Sequence, residues 1–146
     1  LIASSINQKS GTIYSYGTDS TVIENGNEKT NVVSLDVTLK TGFKTSTDNP
    51  LRITKIGKIV NLTGTVAIDG DGNFSSTATE FLNLPSGWDP TDRVFFEGDG
   101  VTNTWGVHVA SLTCYANHGG ARGIYIQNST GTACHVARLN VTWITS

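Results

Sequence analysis

The chain of 146 residues has no methionine, only three prolines and two cysteines, and just 15% charged residues. Each shortage excludes something. Charged residues usually make up about a quarter of a globular chain, so few of the Glu, Lys and Arg that favour helices are present. Thr, Ser, Asn and Gly take their place, a mixture that suits strands and turns. The net charge is −2, with no basic stripe to meet phosphates, so nucleic acid is not an expected partner. No apolar run approaches the ~18 residues of a membrane span, which argues against membrane insertion. No secretory signal is visible. A chain that starts at Leu1 and lacks Met is expected to be an excised fragment or a processed product, with any native targeting signal falling outside it. Two cysteines, Cys114 and Cys134, are too few for a disulfide framework. Both lie in apolar stretches, and the simpler reading is two buried thiols. A cross-strand disulfide is the alternative, and it needs a Cα separation that sequence does not show.

What is present is an alternation of period two. In NVVSLDVTLK, Val33, Leu35, Val37 and Leu39 alternate with Val32, Ser34, Asp36 and Thr38, the pattern of a strand with one wet face. KIVNLTGTVAI puts Val60, Leu62, Val66 and Ile68 on one face and Asn61, Thr63 and Thr65 on the other. TEFLNL, RVFFE, WGVHVASLTCY, RGIYIQ and CHVARLNVTWI read the same way, and TIYSY and TVIE more weakly. Gly-, Pro-, Asn- and Asp-rich breakers separate these runs: TDNP, DGDGN, PSGWDP, GDGVTN, NHGGAR and NSTGT among them. No segment keeps a helical period over three turns. Short strands without intervening helices pair antiparallel. The expected fold is therefore all-β, an antiparallel β-sandwich or jelly roll with a barrel as second choice, formed by one domain over residues 1–146. The first ten residues are polar enough to be a loose arm.

One stretch, IDGDGNFSSTATE, looks like calcium chemistry, with Asp69, Asp71, Asn73 and Glu80 at EF-hand ligand spacing. The position that must be Gly in such a loop is Phe74, however, and neither flank is helical. Asp-Gly is a favoured hairpin turn, so a hairpin tip is expected and a metal site is not. No Gly-x-Ser-x-Gly elbow and no His-Glu-x-x-His helix occurs. His108, His118 and His135 lack zinc-ligand spacing on one element. Carboxylates at Glu80, Asp92, Glu97 and Asp99 could serve a glycosidase only if two faced one cleft. The expectation is a non-enzyme with no catalytic residue and no cofactor. Asn-x-Ser/Thr triplets at Asn61, Asn73, Asn128 and Asn140 are what a chain rich in these residues produces by chance.

Residues 98–125 hold the richest set of binding groups: Trp105, His108, Tyr115, His118, Arg122 and Tyr125 around two Gly-rich turns, with Asp99 at their start. Flat aromatic faces cover the C–H patches of sugars, and planar polar groups bond their hydroxyls. Trp105 could instead be core, since it heads the face shared by Val107 and Val109. Trp88, in PSGWDP, could be a lid, an anchor or a packing plug.

Three motifs carry a resemblance. They are Lys55, Ile56, Gly57, Val60 and Gly64 in KIGKIVNLTG; Leu84, Pro85, Gly87, Trp88 and Pro90 in LPSGWDP; and Trp143 and Thr145 in the closing VTWITS. Over residues 50–146 the chain resembles the C-terminal tips of phage tail-fibre and baseplate receptor-binding proteins of siphophages that infect Gram-positive bacteria. The resemblance implies a homotrimeric head at the virion's tail tip, made in the host cytoplasm and joined to other tail or baseplate proteins through a preceding segment. It also implies attachment to host cell-wall saccharides without cleavage. Trp105, His108 and Arg122 resemble a binding trio of such heads, and His118, Tyr115 and Asp99 complete the candidate saccharide site. A structural fibre domain without its own ligand, or a fibre-borne glycan hydrolase, are the alternatives.

Overall fold

The computed structural model describes residues 12–14, 21–24, 27–30, 32–103 and 105–145. The expected N-terminal arm lies outside these. Among the described residues every regular element is a strand. β1 (Thr12–Tyr14), β2 (Thr21–Glu24) and β3 (Asn27–Thr30) pair in that order as a small antiparallel sheet. The main sheet contains β4 (Val32–Leu35), β5 (Phe43–Thr45), β6 (Arg52–Ile56), β7 (Ile59–Ile68), β8 (Thr79–Asn83), β9 (Val94–Val101), β10 (His108–Ala116), β11 (Gly123–Gln127) and β12 (Val136–Ile144). Its order is β4-β6-β7-β12-β9-β10-β11-β8, with β5 also on β7, and each strand ladder is antiparallel.

The sheet curls like a half-barrel. Leu39 bridges Leu82 of β8 at one end of the strand order, and the Lys40 amide donates to the Phe81 carbonyl at 2.9 Å. The same segment then turns into β5, which pairs with β7. One face is thus turned inward. It carries Ile53 of β6, Val60, Leu62 and Val66 of β7, Leu112 and Cys114 of β10, Ile124 and Ile126 of β11, and Leu139 and Trp143 of β12, all buried. The side chains between them point outward, as period two requires.

Several sequence expectations are corrected. Residues 32–40 do not form one strand: pairing with β6 ends at Leu35, and the chain crosses to β8 at Leu39 while Leu35, Val37 and Leu39 keep packing on the core. The acidic segment after Ile68 is not a hairpin, because β7 and β8 never pair. It turns at Gly70, and the chain then drops Phe74 into the core with its amide on the Cys134 carbonyl at 2.8 Å. Asp69 faces Lys44 at 3.5 Å, and Glu80, far along in β8, faces Lys40 at 3.4 Å. Gly98-Asp99-Gly100 is not a turn but the middle of β9. A Cβ at Gly98 would lie 3.0 Å from the Cys114 sulfur, and one at Gly100 would lie 2.8 Å from the Cys134 sulfur. The glycines are there because bulky inner neighbours leave no space for a side chain. Both cysteines are free and buried. Trp88 is a plug: it packs against the core, and its carbonyl accepts the Trp143 indole N–H at 2.8 Å.

Candidate functional site

The register sets out the outer face in rows. Ala67, Val136, Val101 and His108 lie side by side across β7, β12, β9 and β10. Thr65, Arg138, Asp99 and Ser111 form the next row. Ala67, Val101 and Val136 are buried as a small apolar cluster of their own on this face.

A groove of about 480 Å³ opens over Thr65, Ala67 and Val136. Its walls are the segment from Lys44 to Asp48, together with Asn103 and His135. Hydrogen bonds hold the first wall in place. The Thr45 hydroxyl donates to the Thr65 carbonyl at 3.0 Å and accepts the Leu51 amide at 2.6 Å, and the Asn49 side-chain amide donates to the Thr65 hydroxyl at 3.1 Å. Asn103 shapes the other wall. Its side-chain oxygen accepts the Trp105 amide at 3.1 Å and its carbonyl accepts the Gly106 amide at 2.9 Å. The residue that lines the groove therefore also builds the turn that presents Trp105, whose side chain is not core but 72% exposed.

Beside the groove, Asp99 joins two basic side chains. Its Oδ1 is 2.6 Å from His108 Nδ1, and its Oδ2 accepts from Arg138 Nε at 2.9 Å and from Arg138 Nη2. Burial works to raise the Asp99 pKa, but the hydrogen bonds and charges of His108 and Arg138 outweigh it and hold the carboxyl below its ordinary 3.8. The result is a polar surface fixed in position, bearing donors and acceptors at known places.

Farther along the same face, Phe95, Tyr115 and Tyr125 stand opposite one another on β9, β10 and β11. The two Tyr rings stack at 4.9 Å and 6°, and Phe95 meets Tyr115 at 5.6 Å and 48°. The Arg93 guanidinium lies 5.6 Å from the Tyr115 ring. Gly123 makes space for this row, since a Cβ there would lie 2.5 Å from the Tyr125 ring. Phe95 is 65% exposed.

The candidate residues read from the sequence thus fall at separate places. Asp99 and His108 are in contact at the start of β10, and Trp105 lies in the turn just before that strand. Tyr115 belongs to the aromatic row, seven residues along the strand from His108, or about 23 Å. His118 and Arg122 lie in the β10–β11 turn, where the Arg122 Nε donates to the Leu84 carbonyl at 3.2 Å and steadies the LPSGWDP segment. Arg138, Asn103, His135 and Phe95 were not anticipated. Arg138 could have been found, because it is the one charged residue of its strand and lies on the wet face. Asn103 and His135 had no signal, because only the pairing of β9 with β12 brings their loops together. No family model and no curated protein matches this chain.

Proposed function

We propose that the chain is the receptor-binding head of a phage tail-fibre or baseplate protein, which attaches the virion to host cell-wall saccharides without cutting them. The observation that carries this reading is an exposed indole, Trp105, on the turn built by Asn103, which itself lines a groove walled by hydroxyl, amide, carboxylate and imidazole groups. An exposed Trp beside fixed polar groups suits a ligand with C–H faces and many hydroxyls. The resemblance of residues 50–146 to phage tips supports the biological setting. Asp99, held ionised by two basic neighbours, is a poor general acid, which favours binding over hydrolysis.

In this reading the curled sheet is one unit of a sandwich-like or jelly-roll-like head that works as a homotrimer. Val32, Ile56, Ile59 and Ile144 lie opposite one another in a single row, all exposed. A row of apolar side chains in water favours burial against another copy. Trimerisation also gives weak single-site sugar contacts the avidity that adsorption needs.

Retention on purified Gram-positive cell walls tests the proposal. The native domain should be retained, and Trp105→Ala should lower retention about tenfold, the loss of one stacking contact. Arg122→Ala, at the far end of β10, should leave retention unchanged. No retention on any wall preparation, with a folded domain, overturns the reading and favours a structural fibre domain.

A further inference from the structure

The outer face of β9 and β10 joins two aromatic ends through a polar middle. Trp105 stands at one end, Phe95 and Tyr115 at the other, and Asp99, Ser111 and Thr113 point outward between them. The interval from His108 to Tyr115 is about 23 Å along a strand pair with one register shift, between His108 and Ala110, room for on the order of four or five pyranose units of about 5 Å each. A terminal sugar seated at the groove would never reach Phe95, yet Phe95 is exposed beside Tyr115, which stacks on the Tyr125 ring that Gly123 makes room for. Exposed Phe on a sheet face, held in line with two stacked Tyr rings, needs something to cover it.

We propose that this face is one continuous track for a linear, neutral polysaccharide, bound along its length rather than by its terminus. The inference rests on the saccharide-binding reading above. Neutrality follows from the charges. Arg138, at the centre of the track, is already paired with Asp99, and exposed Glu97 on the same face is offset by Arg93 over the Tyr115 ring, so the face carries no excess of either sign. A polyanion finds no cluster of free cations there among the described residues, whereas sugar hydroxyls find carboxylate acceptors and the two-way hydroxyls of Ser111 and Thr113. The aromatic ends supply the stacking, which does not depend on which hydroxyl lies where.

The test is a size ladder of neutral oligosaccharides, from mono- to decasaccharide, cut from the wall polysaccharide that retains the native domain. It is titrated against native protein, Trp105→Ala and Phe95→Ala, with lipoteichoic acid as a phosphate-bearing comparison. Affinity should rise at least tenfold from disaccharide to about pentasaccharide and then level off. Phe95→Ala should erase that gain and leave disaccharide binding unchanged, while Trp105→Ala weakens every length. Phe95 is exposed, so its loss should not perturb folding, which circular dichroism and thermal melts verify. Affinity that is flat with length, or a Phe95→Ala protein that keeps the full gain, overturns the track and leaves the saccharide reading standing. Binding to lipoteichoic acid but not to the neutral ladder overturns the neutral polymer. Retention on no wall at all removes the saccharide reading and the track with it.

Discussion

At the scale of single side chains, Asp99 ties His108 to Arg138 across the outer face, and its titration reports that contact directly. Folding depresses its carboxyl, so the stabilisation is present above the ordinary value of 3.8 and is lost as pH falls through the lower folded value. The side chain is more than a third exposed, so solvent screens the pair and the energy involved is small. Carboxyl-carbon NMR should find the Asp99 midpoint below 3.8, and Arg138→Gln or His108→Ala should raise it. A midpoint that neither substitution moves would contradict the geometry. The cysteines behave in the opposite sense. Burial pushes the Cys114 thiol up to about 12, partly opposed by a backbone hydrogen bond at Gly98, and burial likewise raises Cys134. Neither should react with a thiol reagent at pH 8 until urea unfolds the chain. Because the unfolded thiol ionises near its ordinary 9.0 and the native one does not, stability should fall as pH climbs from about 9 toward 12.

Elements are fixed here by close backbone approaches as much as by apolar alternation. Gly64 sits in the middle of β7 with φ of +119°, and a Cβ there would lie only 2.2 Å from the Pro50 carbonyl oxygen. Gly64→Ala should therefore cost about 2–4 kcal/mol in urea unfolding. Gly57, in the two-residue turn between β6 and β7, has a positive φ but open space around it. Gly57→Asn should cost well under about 1 kcal/mol, since Asn tolerates the left-handed region. Equal costs at the two sites would mean that the Pro50 segment does not lie against β7. These two glycines also show what sequence could and could not reveal. Val60, Leu62 and Val66 announced the inner face of β7 by simple alternation, and β10, β11 and β12 were legible for the same reason. The RITKI strand was missed although Ile53, Ile56 and the following Gly57-Lys58 turn carried a hairpin signal. Gly98 and Gly100 looked like breakers because sequence cannot show the two sulfurs that crowd them. The hairpin expected at Asp69 failed because a turn signal says where a chain bends, not which strand it pairs with next.

On the scale of the whole molecule, what matters is which surfaces the curl leaves open. The candidate site was legible only in part: Asp99 and His108 meet at the end of β10 that Trp105 precedes, whereas His118 and Arg122 share their Gly-rich sequence context but lie at the other end of β10. Neighbourhood along the chain misled because an extended strand carries its two ends far apart. The apolar row through Ile59 bears on assembly. Light scattering should give three times the 15.5 kDa chain mass, and Ile59→Lys should shift it toward one copy. A native protein that stays monomeric at high concentration would remove the trimer from the proposal.

The most direct test of the proposed saccharide site is a map of backbone amide shifts as wall polysaccharide is titrated into the labelled domain. Shifts should concentrate at Asp48, Asn103, Trp105 and His135 around the groove and extend along Asp99 and Ser111. Shifts confined to the His118–Arg122 turn, or no shifts at saturating polysaccharide, would contradict it.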